Sequence, residues 1–173
     1  MRTVTYGAAC SLDGFIAGPK GEIDWVHSSR DVAGAMAKYW KSVDTILVGR
    51  KTYEVAQAMG GGPAMPGITG TYVFSRTLDQ VRGAELIHDD AGAFVRSLKD
   101  KPGKGICLLG GGQLAHSLFA ADVIDEVGLN IHPMLLGGGH PLFPDIGRRI
   151  RLELIENATI DGGGILASYR VVH

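Results

Sequence analysis

The chain has 173 residues, 45% of them apolar, and a formal net charge of −1. That length fits one domain with a sizeable core. The apolar runs fall far below the ~20 residues that cross a bilayer, and with no basic block neither nucleic acid nor an anionic membrane is an expected partner.

Val4 to Cys10 reads as a buried strand leading into Ser11-Leu-Asp-Gly-Phe-Ile-Ala17. Asp13-Gly14 is a turn dipeptide and Gly18-Pro-Lys-Gly21 prolongs the irregular path. Residues 11–24 are therefore expected to be one long ordered loop ending at Asp24-Trp25. Ser29 is placed to cap a helix over residues 30–41, with Val32, Met36, Tyr39 and Trp40 on one face. Thr45 to Val48 is a short β-branched and apolar run, consistent with a strand buried on both faces. Gly49 then allows a sharp turn, Arg50 and Lys51 put two cations on it, and Thr52 is placed to cap a helix from Tyr53 onward.

Gly60 to Gly67 is a breaker cluster read as a mobile loop within the domain. Thr71 to Phe74 and Ala84 to Ile87 read as strands. Ala91 to Lys99 reads as a helix burying Phe94, Val95 and Leu98, and Ile106 to Leu109 as another buried strand. Gly110-Gly-Gly-Gln-Leu-Ala115 follows at once and opens a helix with Leu114, Leu118 and Phe119 on its inner side. After Asp122 the apolar period falls to two, through Val127, Leu129 and Ile131, then Ile150, Leu152 and Leu154, then Ile165 to Val171. That alternation predicts antiparallel pairing with one wetter face. The chain is thus α/β, with parallel strands first and an antiparallel end.

Cys10 and Cys107 are the only cysteines and belong to no metal pattern, which fits a reduced, cytoplasmic protein. Gly7-Ala-Ala-Cys10 could pass for a lipoprotein cleavage site, but too few residues precede it for an export signal. His27, His88, His116, His132, His140 and His173 show no ligand spacing, so no metal is expected.

The chemistry is carried by two turns. A helix N-terminus favours anions through its unpaired N–H groups and macrodipole, and Arg50 with Lys51 sharpens that preference. Gly110-Gly111-Gly112 allows a backbone to approach a pyrophosphate, although it is neither G-x-G-x-x-G nor a P-loop. Alone, each turn is equally well a plain strand–helix junction. Together, at the carboxyl ends of two buried strands, they mark the usual ligand side of an open α/β sheet.

Gly49-Arg-Lys-Thr-Tyr-Glu54 and Gly110-Gly-Gly-Gln113 resemble the two NADPH-contacting motifs of the dihydrofolate reductase fold, and residues 11–17 resemble the opening of its first loop. The run from Glu126 to Phe143 is closer to the reductase (C-terminal) domain of bacterial riboflavin biosynthesis and its stand-alone relatives. The resemblance spans nearly the whole chain in the same order. It implies a single domain of three layers, with a mixed, mostly parallel central sheet flanked by helices and an antiparallel C-terminal hairpin.

It also implies roles. Ala9, Ile16 and Ala17 would flank the nicotinamide of NADPH. Gly49, Arg50, Lys51 and Thr52 would hold the adenosine 2′-phosphate and pyrophosphate side, with Ser75 and Arg76 against the adenosine phosphate. Gly110, Gly111, Gly112, Gln113 and Leu114 would wrap the pyrophosphate. The resembling riboflavin reductases are dimers, and a homodimer is expected here.

Dihydrofolate reductases place a carboxylate early in the helix after Trp25. Here the interval from Trp25 to Gly49 is longer and no carboxylate falls cleanly in register, which argues against dihydrofolate as the substrate. Asp31 is the nearest candidate catalytic acid. It reads equally as a first-turn acid favoured by the helix dipole, with Asp24 and Asp13 as further options. The zinc deaminase motifs that often precede the riboflavin reductases, H-x-E and P-C-x-x-C, do not occur. The expected function is an NADPH-dependent reductase delivering hydride to a C=N or carbonyl group of a small pterin-, pyrimidine- or sugar-linked substrate. A nucleotide-binding module of the same fold without turnover, or a genuine dihydrofolate reductase, is the alternative.

Overall fold

A computed structural model describes residues 1–60 and 65–173 of the chain. Its elements run β1 (Val4–Ser11), β2 (Phe15–Ala17), α1 (Arg30–Trp40), β3 (Val43–Gly49), α2 (Arg50–Ala58), β4 (Gly70–Phe74) and β5 (Glu85–Ile87). They continue with α3 (Ala91–Lys99), β6 (Gly105–Leu109), α4 (Gly112–Ala120), β7 (Glu126–His132), β8 (His140–Pro141), β9 (Arg151–Ile160) and β10 (Gly164–Val172). Residues 61–64, part of the expected mobile loop, lie outside the described residues.

Eight strands form one sheet in the order β5-β4-β3-β6-β1-β7-β10-β9. Every pair from β5 to β7 is parallel, and β10 runs antiparallel to both β7 and β9. The sheet is therefore mixed and mostly parallel, flanked by helices, with an antiparallel C-terminal hairpin, as expected. No helix among the described residues is long and apolar enough to cross a membrane.

Side chains alternate across a strand, so the sheet packs one core on each face. Val4, Tyr6 and Cys10 of β1, with Leu47, Ile106, Leu108 and Val127 of its neighbours, pack under Val95 and Leu98 of α3 and Leu118 and Phe119 of α4. On the other face, Ile46, Val48 and Val73 pack with Trp40 of α1 and Tyr53 of α2. Leu47, Leu108 and Leu118 are fully buried, and truncating any one to Ala should cost about 2–5 kcal/mol. Between these cores, β1 and β7 present small or polar residues on the second face. Thr5, Gly7, Ala9 and Ser11 alternate with the core positions of β1, and Gly128, Asn130 and His132 with those of β7. The site develops at the carboxyl ends of these strands.

Helix α1 begins where the sequence predicts. The Ser29 hydroxyl accepts from Val32 N, and Val32, Met36, Tyr39 and Trp40 are its half-buried residues. Three expectations change. The helix expected from Tyr53, with Thr52 as cap, starts three residues earlier. Extended Gly49 is its N-cap and supplies no side-chain acceptor, because β3 pairs with β4 through Gly49 and the helix begins at the next residue. The loop over 11–24 contains a strand, β2, which pairs with β8 in a separate two-stranded sheet. Alternation in β7 does not mark antiparallel pairing on both sides, since β7 is parallel to β1.

Candidate functional site

Strands β3 and β6 are parallel neighbours in register, Val48 opposite Leu109, so the turns at Gly49 and Gly110 emerge side by side. Gly110 and Gly111 take φ of 51° and 77°, left-handed values that a β-carbon disfavours. Gly111 is the N-cap of α4 and, like Gly49 before α2, makes no side-chain cap bond. A β-carbon on Gly111 would lie 3.4 Å from Thr52 Oγ1 and 3.9 Å from Gly49 N. Two helix N-termini without side-chain caps thus converge across a gap kept open by the absence of side chains. Such a cradle suits an anion.

Cations surround it. Arg50 and Lys51 are the first two residues of α2 and both are exposed. The Arg50 guanidinium donates to Thr77 Oγ1 at 3.2 Å, reaching the loop after β4. There Ser75 is buried, its hydroxyl accepting from Thr77 N and Leu78 N, while Arg76 is exposed. The fold therefore gathers residues 49–52, 75–76 and 110–114 at one end of adjacent strands. Gln113 is exposed there, and Leu114 is buried in the main core.

The site continues along the sheet. Gly110 N donates to Gly7 O at 3.1 Å, which ties the glycine turn to β1 just before half-buried Ala8 and Ala9. Ile16 and Ala17, also half-buried, lie on β2. That strand is held by a strap of residues 134–144. Phe15 pairs with Pro141, Leu142 N donates to Gly14 O, and a β-carbon on Gly139 would lie 2.1 Å from Ala17 O. The same strap touches α4, since a β-carbon on Gly112 would meet Pro141 O at 3.0 Å. Asp13 anchors the strap's start by accepting from Leu136 N and Gly137 N, and Ser11 Oγ donates to it at 2.6 Å. The Ser11 hydroxyl is the main cause holding the Asp13 carboxyl below the usual range; burial opposes it, and the Gly137 and Leu136 amides each add a smaller downward pull.

One strand further on, at the ends of β1 and β7, lies a cavity of about 420 Å³ lined by Glu22, Asp24, Trp25, His27, Met134 and Leu136, together with Gly18 and Pro19. His132, the last residue of β7, pairs with Ser11 and sits beneath it. Its ring meets Trp25 edge-on at 5.4 Å and lies 6.4 Å from that of His27. His132 is buried and its Nε2 has no partner, nor has the buried Oδ1 of Asn130 two residues before it. Burial, and then His27, push the His132 pKa down.

Asp31 is not brought to this place. It is exposed on α1 and its carboxylate accepts from Asp161 N at 3.2 Å, in the turn between β9 and β10. Position 31 falls beside the Val32–Met36 face rather than on it, its carboxylate reaches the hairpin turn, and it is not among the residues lining the cavity. The residues that sequence reasoning passed over are His132, Asn130 and the cavity pair Trp25 and His27. The one visible signal, for Asn130 and His132 alone, was the small-or-polar alternation Gly128, Asn130, His132 in β7.

The model of the RibD C-terminal domain family matches residues 2–166. The chain is 34% identical over 180 residues to the uncharacterized protein YyaP of Bacillus subtilis (strain 168), across 98% of this chain and 95% of that one. Among solved structures it is similar to a Shewanella sp. PV-4 protein provisionally named for riboflavin biosynthesis, with TM-score 0.83 and 24% identity over 99% of both chains. It is also similar to Enterococcus faecalis dihydrofolate reductase in complex with NADP(H), with TM-score 0.71 and 22% identity over 99% of this chain and 97% of that one. At those identities the structural likenesses establish the fold, which is that of dihydrofolate reductase.

Proposed function

The chain belongs to the RibD C-terminal domain family, and from that premise we propose that it is an NADPH-dependent reductase acting on a C=N or carbonyl group of a small heterocyclic substrate. The observation that carries this reading is the cradle itself: two uncapped helix N-termini meeting at Gly49 and Gly111, with Arg50, Lys51 and Arg76 beside them. A dinucleotide bearing a 2′-phosphate has the matching charge. The pyrophosphate fits the glycine gap, and the extra phosphate dianion needs the charge-assisted bonds that guanidinium and ammonium groups supply.

When bound, NADPH would supply a hydride, two electrons with one hydrogen nucleus, to the electrophilic carbon. The protein's part is to bind, orient and exclude water. Arg50, Lys51, Thr52, Ser75 and Arg76 would hold the adenosine phosphate side, and residues 110–114 the pyrophosphate. Ala9, Ile16 and Ala17 would flank the ring, with β2 kept in place by the Asp13-anchored strap. The reduced group's nitrogen or oxygen then takes one proton. Glu22, Asp24 and His27 are the titratable groups lining the adjoining cavity, whereas Asp31 lies outside it.

The whole chain would act as one domain, and buried, unpaired Cys10 and Cys107 fit a reducing cytoplasm. Burial pushes both thiols up to about 11, which disfavours the nucleophilic thiolate. A homodimer is part of this reading. Strand β9 is one of the two edges of the eight-stranded sheet and is exposed along its length except at Ile160, with Leu152, Leu154 and Ile155 among its exposed side chains. Such an apolar edge is usually covered. Light scattering should give twice the chain mass at micromolar concentration, and the monomer mass throughout would contradict it.

Turnover is tested by following NADPH absorbance with a panel of pyrimidine, pterin and imine substrates. Oxidation that requires a substrate supports a reductase. NADPH binding with no oxidation across the panel would favour a module that binds the nucleotide without turnover.

A further inference from the structure

The two halves of the site differ in charge. The turns carry Arg50, Lys51 and Arg76, whereas the cavity beside β7 carries two carboxylates, Glu22 and Asp24, and no lysine or arginine among the described residues that line it. Lys20, close in sequence, is not part of the lining. Its backbone N–H donates to Glu22 Oε2 at 2.7 Å, which holds that carboxylate in place. The rest of the wall is apolar or aromatic, with Met134 and Leu136 from the strap and Trp25, whose Nε1 donates to Glu22 O at 3.2 Å.

Behind Trp25 and His27 lies His132, 5% exposed, with Nε2 unpartnered. An unpaired polar atom at that depth is costly, and a ligand group able to reach it would relieve the cost. Burial and His27 keep His132 neutral at neutral pH, so it adds no cation.

A phosphate dianion binds where it finds guanidinium, ammonium or clustered N–H donors, and it is repelled by carboxylates. An N–H-bearing ring has the opposite preference. We propose that this cavity takes an unphosphorylated nitrogen heterocycle, neutral or cationic, with its N–H donors toward Glu22 and Asp24 and its plane against the Trp25–Met134–Leu136 wall, and that it rejects a phosphoribosyl-linked one. This rests on the reductase reading above, because it places the substrate one strand beyond the nicotinamide. Within that reading, it separates this chain from reductases whose substrate carries a sugar phosphate.

The chain has two tryptophans, so Trp40→Phe leaves Trp25, on the cavity wall, as the sole tryptophan reporter. The full chain with this change, saturated with NADPH, is titrated with 2,4-diaminopyrimidine, cytidine and cytidine 5′-phosphate while tryptophan fluorescence is read. The first two ligands should alter the Trp25 signal, with cytidine 5′-phosphate about tenfold or more weaker than cytidine. Adding Glu22→Gln with Asp24→Asn should bring cytidine and its phosphate to within about threefold, with NADPH affinity unchanged. Equal or tighter binding of the phosphate in the parent, or no signal from any of the three with NADPH bound, would overturn the proposal. Failure of NADPH itself to bind would overturn the reductase reading, and this inference with it.

Discussion

The two ends of the site are made of different material. The turns at Gly49 and Gly110–Gly112 are backbone, shaped by glycines whose missing side chains leave room, with cations fixed by the start of α2. The cavity at the end of β7 is lined by two separated segments, Gly18 to His27 and Met134 with Leu136, with buried His132 behind Trp25. A backbone site is specified locally, and one wrong side chain closes it. A side-chain site is assembled by topology and tolerates change at any one position better. Substitutions should therefore separate the two ends cleanly.

The largest effect is expected at Gly111. Valine there adds a β-carbon 3.4 Å from Thr52 Oγ1 and forces a β-branched residue to φ 77°. NADPH affinity should fall by about a hundredfold or more, and the backbone strain should lower stability by about 1–3 kcal/mol. Calorimetric titration with a thermal melt reads both. Unchanged affinity in a folded variant would show that the glycine gap holds no ligand.

Next comes Trp25→Ala, which opens the cavity wall. Truncating a buried Trp should cost about 3–5 kcal/mol of stability, and it should raise the substrate KM while leaving NADPH affinity within a few-fold. Equal loss of both would merge the two ends into one.

The strap between them gives a pH test. Asp13 is held below its ordinary value chiefly by the Ser11 hydroxyl. Its contribution is therefore present above the unfolded carboxyl range and is lost as pH falls through the lower folded value. Protection of the Leu136 and Gly137 amides, both bonded to Asp13, measured relative to intrinsic exchange at each pH, should fall only in acid below the usual Asp range. Loss of protection already near neutrality would contradict this coupling.

The smallest effect is expected at Asp31→Asn. An exposed acid tied to Asp161 N should lose about 1 kcal/mol of stability or less, with turnover within a few-fold of the parent. A loss of about a hundredfold would return Asp31 to the chemistry.

The same division explains what the sequence disclosed. Strand-turn-helix order, the Ser29 cap, the Val32–Trp40 face and both glycine turns could be read directly, because each depends on neighbours within a few residues. The start of α2 was misplaced because glycine, not Thr52, caps it, and a cap without a side chain leaves no signature. The cavity was illegible because Trp25, His132 and Leu136 meet only through the β1–β7 pairing and the strap, and no local pattern encodes either. The hydrogen-bonded position of Asp31 depends likewise on the β9–β10 turn, 130 residues away in the chain.

The paired turns are proposed to bind a 2′-phosphorylated dinucleotide, and calorimetric titration of the parent and of Arg50→Ala with NADPH and with NADH tests this. The parent should bind NADPH at least about tenfold more tightly than NADH, and Arg50→Ala should remove roughly 1.5–3 kcal/mol from NADPH binding while changing NADH binding little. Equal affinity of the parent for both dinucleotides would contradict it.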